Sequence, residues 1–115
     1  MPEFTMARWL AHARALQRDV FVDPETLAPE ALLAWTREMV LAMIVEATEV
    51  LNEVPGWKSW RPHPGDRERY IEELVDVVHF AGALAVAAGV TDEEWARAYA
   101  DKSRTIRIRQ ETHRA

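Results

Sequence analysis

Four carboxylates stand out because their spacing repeats. Glu46 and Glu49 lie three residues apart in one apolar stretch, and Glu73 and Asp76 lie three apart in the next. Residues three apart share a helix face. Glu53, seven beyond Glu46, falls on nearly the same face. A short turn, Val54-Pro-Gly-Trp57-Lys58-Ser-Trp60, separates the two stretches. Helices joined so briefly are expected to run antiparallel, so Glu46 and Glu49 can approach Glu73 and Asp76. Such a cluster is costly to build inside a bundle unless a cation neutralises it. Hard carboxylate oxygens, with no cysteine in the chain, favour Mg²⁺ or Mn²⁺. Acids three apart on a helix are ordinarily solvated surface charge. Here Val50-Leu51 and Leu74-Val75 flank them with core residues, which weighs against that reading.

The elements that must position these groups are legible as helices. Residues 5–20 form the first, with Thr5 as cap and Trp9, Leu10, Ala13, Leu16 and Val20 at three-to-four spacing. Residues 21–29 are a connector, broken by Pro24 and Pro29. The second helix starts near Pro29 and runs to about Val54, where Pro55-Gly56 stops it. Leu32, Trp35, Met39, Met43, Ala47, Val50 and Val54 form its stripe, widened by Val40, Ile44 and Leu51. Met39–Val45 is apolar all round, so burial on more than one side is expected. The third helix spans Asp66 to Ala88, with Asp66 as cap and Gly89 as stop. Its inward set is Tyr70, Leu74, Val77, Val78, Ala81, Leu84 and Ala85. Thr91-Asp-Glu-Glu94 is a capping box opening a fourth, with Trp95, Ala98, Tyr99, Lys102 and Ile106 on one side. The expected fold is all-α: one domain over residues 1–115, a four-helix bundle whose core is completed by homodimerisation or a larger homo-oligomer.

Composition narrows the functions. At 115 residues the chain fits one domain, at roughly 100–200 residues each. The absence of cysteine excludes disulfides and thiol chemistry. A net charge of −5 argues against a nucleic-acid partner, since a broad cationic surface is missing. Nothing approaches ~20 consecutive apolar residues, so no membrane span is expected. No secretory signal is read at the N-terminus, and a cytoplasmic location is the expectation.

The order Glu-x-x-Glu, Asn-Glu, Trp-Lys-x-Trp, Glu-Glu-x-x-Asp-x-x-His-Phe resembles the all-α NTP pyrophosphatase superfamily. Within it the pattern is most similar to the dimeric dUTPases, with the short MazG-like enzymes as cousins. Tyr99-x-x-Lys102 and Arg109-Gln110 also resemble the dUTPase C-terminal motif. The likeness covers about residues 40–110. It implies Mg²⁺-dependent hydrolysis of a nucleoside triphosphate, dUTP foremost, to the monophosphate and pyrophosphate. Glu49, Glu73 and Asp76 would hold the metal. Glu46 would bind metal too, or take the proton of the water attacking the α-phosphorus. Lys58, grouped with Glu46 as catalytic, would join Lys102 and Arg109 as cationic partners of the phosphates. Trp57 and Trp60 would cover base or sugar, and Gln17 would read a base edge. Glu53 and His79 would support the ligands from behind.

The chain departs from that family at three places. Ser103, Ile106 and Val20 stand where dUTPases usually have asparagines of nucleotide recognition. Uracil preference is therefore in question, with dCTP or a modified nucleotide as the MazG-like alternative. Simpler roles compete for single residues. His79 fits a satisfied core histidine, Trp57 and Trp60 can plug the bundle end, and the basic tail can be a solvated face. A carboxylate-bridged di-metal bundle wants Glu-x-x-His on two helices, and only Asp76-x-x-His79 is present. A non-catalytic nucleotide-binding or helical interaction protein is the remaining alternative.

Overall fold

The computed structural model describes residues 8–114, the last of them by its backbone. Thr5, the expected first cap, lies outside the described residues. Four α-helices follow one another: α1 Trp9–Asp19, α2 Pro29–Asn52, α3 Arg67–Ala87 and α4 Asp92–Arg114. There is no strand among the described residues. The connector after α1 holds one turn of 3-10 helix, Pro24–Thr26, absent from the sequence expectation. Asp23 caps it by accepting from the Glu25 N–H at 3.0 Å, and Pro24 is buried.

The caps form as their residues dictate. Asp66 accepts from the Arg69 N–H at 3.2 Å to open α3. Thr91 and Glu94 make the reciprocal box, at 3.0 and 3.1 Å, that opens α4. Pro29 occupies the first turn of α2. That helix ends at Asn52, two residues short of the expected Val54.

α2 packs along α3, and α1 packs on α3 from another side. The buried core is small and sits where α1 meets the C-terminal half of α3: Trp9, Leu10 and Ala13 against Ala83, Ala85 and Val86. Gly82 permits the approach, because a Cβ there would lie 2.9 Å from the Ala13 Cβ. Val20, expected inside, is 64% exposed, and Gln17 is buried in its place on the inner face of α1. Leu74 and Val78, also expected inside, are exposed. They precede Ala85 by eleven and seven residues, so they share the face that packs on α1. The 11 described residues of α1 reach about 16 Å, half the length of the 21-residue α3, and leave that end of the face bare.

α2 buries no residue completely. Leu32, Trp35, Met39, Met43, Val50 and Val54 are half-buried, as their stripe predicts, while Ala47 is exposed. Val40, Ile44 and Leu51, which widen the stripe, turn outward, and Leu41 and Val45 of the apolar run are exposed as well. α4 departs most from the expected bundle. Trp95 docks edge-on against Trp9 at 4.8 Å between ring centroids, and Val90 packs beside it. Every described side chain beyond Trp95 is exposed, Tyr99 and Ile106 included, so α4 leaves the other helices after its first turn. The radius of gyration is 17.3 Å, against about 13 Å for a compact chain of this length.

Candidate metal centre

Three of the four paired acids, Glu46, Glu49 and Glu73, meet where antiparallel packing predicts, and Asp76 lies outside the group. Glu46 and Glu49 on α2 and Glu73 on α3 each offer a carboxylate oxygen, and these oxygens lie within 4.8 Å of one another. All three side chains are half-buried. The local sequence explains the placement. On α2 the acids fall on the side of Met39, Met43 and Val50, which packs inward, opposite Leu33, Val40 and Ile44.

The electrostatics are those of an unneutralised cluster. Burial, followed by the neighbouring Glu49, raises the Glu73 carboxyl from its ordinary value to about 7, with Asp76 and Glu46 adding to the effect. Glu46 is pushed up as well, first by burial and then by Glu49. Two ionised carboxylates are both acceptors and cannot bond to each other; one retained proton lets them do so. Oε2 of Glu73 is shut off from solvent and has no hydrogen-bond partner among the described residues. A hard divalent cation fits this donor set. It would replace the retained proton, occupy the orphaned oxygen and cancel the repulsion. The donor chemistry, oxygen only, matches Mg²⁺ or Mn²⁺ and distinguishes between them no further.

The other predicted residues divide into those near the trio and those apart from it. Asp76, one turn beyond Glu73, is close enough to raise both Glu46 and Glu73. Glu53 is half-buried at the end of α2 and lines a groove of about 430 Å³ with Tyr70, Pro64 and Arg67. His79 is exposed on α3, outside the three-carboxylate group. Trp57 and Trp60 pair edge-on at 6.2 Å, and Lys58 Nζ sits 5.3 Å from the Trp57 ring. Gln17 is 8% exposed on α1. Lys102 and Arg109 stand on the exposed part of α4, and neither pairs with the trio among the described residues. A larger hollow of about 580 Å³ lies on α1 between Arg8 and Val20 and includes none of the expected site residues.

One contact was not foreseen. The His63 ring meets the backbone carbonyl of Asn52, the last residue of α2. The available signal was a histidine between two prolines shortly after a helix end.

The all-helical fold is consistent with the all-α NTP pyrophosphatase superfamily. A family model described as dUTPase matches residues 10–114, and the chain belongs to that family. No curated protein and no solved structure matches it. No helix among the described residues is long and apolar enough to cross a membrane.

Proposed function

We propose that this chain is a divalent-metal-dependent pyrophosphohydrolase that converts a nucleoside triphosphate, dUTP first among them, to the monophosphate and pyrophosphate. The observation that carries the reading is the Glu46–Glu49–Glu73 trio with its orphaned Glu73 oxygen, in a chain of the dUTPase family.

Glu49, Glu73 and Asp76 hold the metal, with Glu46 beside them. Mg²⁺ bound there supplies charge to screen the triphosphate oxygens. Glu46 takes a proton from the attacking water. Lys58 swings from the Trp57 face to the phosphates, trading a cation–π contact for charge-assisted hydrogen bonds. Trp57 and Trp60 cover the base or sugar, and the exposed Trp60 ring has apolar surface to lose on binding. Gln17, whose amide makes no hydrogen bond among the described residues, reads the base edge. Lys102 and Arg109 contact the phosphates from α4, with Glu53 and His79 in supporting positions.

A second copy of the chain completes the core on the outer face of α2, where Leu41, Ile44 and Val45 are 62%, 54% and 55% exposed. The accessible surface of 8984 Å² exceeds the roughly 6,400 Å² expected of a monomer of this mass. A second reading keeps the reaction and changes the base to that of dCTP or a modified nucleotide. Its support is Ser103, Ile106 and Val20 at the recognition positions.

The test is pyrophosphate release across a panel of dNTPs and NTPs, with Mg²⁺ and with EDTA, for wild type and Glu49→Ala. Metal-dependent turnover lost in the variant supports the reading, and the best substrate decides the base. A folded, metal-binding protein silent on every nucleotide overturns it in favour of a binding protein.

A further inference from the structure

We propose that His63 is a positioning residue that fastens the Trp57–Lys58–Trp60 loop to the end of α2; the proposal rests on the pyrophosphatase reading above. The last carbonyls of a helix have no partner inside it. Asn52 is such a residue, and the His63 imidazole meets its oxygen, Nε2–H donating. Two further contacts close the same loop. The Gly56 N–H donates to the His63 carbonyl at 2.8 Å. Gly65, at φ +70°, lies so close to the α2 end that a Cβ would stand 2.5 Å from the Glu53 carbonyl oxygen.

The flanking residues explain why a side chain has this job. Pro62 and Pro64 have no N–H, so the returning segment has few backbone donors with which to hold itself in place. His63 supplies both a ring donor and a backbone acceptor from between them. The loop is thereby pinched into a compact Ω-like shape with its ends together. Inside the pinch the chain turns through Trp57 N–H to Val54 O at 3.4 Å and Arg61 N–H to Lys58 O at 3.3 Å. Trp57, Lys58 and Trp60 project from that frame. Asn52 is three residues beyond Glu49, one helical turn, so the fastening references the substrate-covering loop to the helix segment that carries the acids. His63 itself lies outside the three-carboxylate group.

Fixing a loop in its binding geometry lowers the ordering cost of binding. His63→Ala is therefore expected to raise KM about tenfold, with kcat changed less than threefold and Mg²⁺ affinity unchanged, for a lost hydrogen bond of ordinary strength. His63→Gln, which can donate from a similar position, is expected to restore most of the affinity. Gly65→Ala opens the same pinch from its other side and should reproduce the defect. Amide hydrogen exchange at Gly56, Trp57 and Arg61 reads the fastening directly. It should quicken in His63→Ala and Gly65→Ala and stay slow in His63→Gln, with exchange in α1 and the C-terminal half of α3 unaltered. Wild-type exchange and wild-type KM in His63→Ala overturn the proposal. A wild-type enzyme silent on all nucleotides overturns the function reading, and the exchange arm still decides the fastening. Should His63→Ala lose helical signal, Gly65→Ala and His63→Gln carry the test.

Discussion

Glu49 and Glu73 face each other across the α2–α3 seam with carboxylate oxygens inside 4.8 Å, and Oε2 of Glu73 has neither solvent nor a hydrogen-bond partner among the described residues. Such a pair resists folding until one charge is removed or neutralised. At pH 8 in EDTA, Glu73→Gln is therefore expected to unfold at a higher temperature than wild type. With Mg²⁺ the order reverses. A hundredfold excess over the dissociation constant stabilises the wild type by about 2.7 kcal/mol, a shift on the order of 10 °C, and leaves the variant unmoved. Thermal unfolding of both proteins with and without the metal checks this. A Mg²⁺ response equal in both would remove Glu73 from the ligand set.

The same carboxyl gives the apo protein a pH signature. Glu73 holds its proton to about 7 in the folded chain, while an unfolded glutamate releases it near the ordinary value of 4.5. Between those values the folded state binds more protons, so stability falls as pH rises across that window and levels off above it. Metal abolishes the trend, because it binds the deprotonated form and its gain in affinity through the same window offsets the loss. Denaturant titrations of the metal-free protein between pH 4.5 and 8, repeated with saturating Mg²⁺, should show a falling curve without the metal and a nearly flat one with it above about pH 5. Parallel curves would mean that burial does not hold the proton.

Part of this arrangement is readable from the sequence. Spacing of three places Glu46 with Glu49, and a proline-glycine stop places α2 against α3, so Glu73 meets them, while Asp76 falls outside the group. Asp66 and the Thr91–Glu94 box were readable because caps are local chemistry. What stayed hidden depends on relations between helices. Periodicity marks Leu74 and Val78 as apolar but does not say that α1 stops short of them. It marks Ile106 and Tyr99 on one side of α4 without showing that none of the other described helices covers them. Gly82 reads as a weak spot in a helix until Ala13 is seen against it. His63 reads as loop polarity until its ring meets Asn52.

Gly82→Ala separates helix propensity from packing. Alanine gains up to about 1 kcal/mol over glycine in a helix interior. Here the added methyl would stand 2.9 Å from Ala13 Cβ and 3.6 Å from Trp9 Cζ2. Overpacking of a close seam costs typically 1–3 kcal/mol, so a net loss of up to about 2 kcal/mol is expected. Urea unfolding measures it, and a stabilised variant would show that α1 moves aside freely.

The outer face of α2 predicts self-association. Leu33, Val40, Ile44 and Leu51 recur at helical spacing on the side away from Glu46, so a partner can cover them without blocking the acids. Leu41→Glu places a charge within that exposed apolar face and should reduce the mass seen by light scattering at micromolar concentration, while the helical signal persists. A wild type that stays monomeric at such concentrations would leave this face with some other role.

Lys102 and Arg109 pose the hardest placement, because both stand on α4 beyond its docking at Trp95. Seven residues separate them, two turns, so they present one cationic edge about 10 Å long. An edge of that length can meet two phosphate groups of a triphosphate together. A hydrogen bond to a charged group contributes about 1.5–3 kcal/mol, so each alanine substitution should lower kcat/KM by roughly 10–100-fold. Removing only one cation leaves the Glu46–Glu49–Glu73 trio intact, so Mg²⁺ binding should be unchanged in both variants. Salt distinguishes this from a fold defect: the wild type should lose affinity as ionic strength rises, and each variant should lose less. Two variants with wild-type kcat/KM and wild-type salt dependence would confine α4 to a role outside substrate binding.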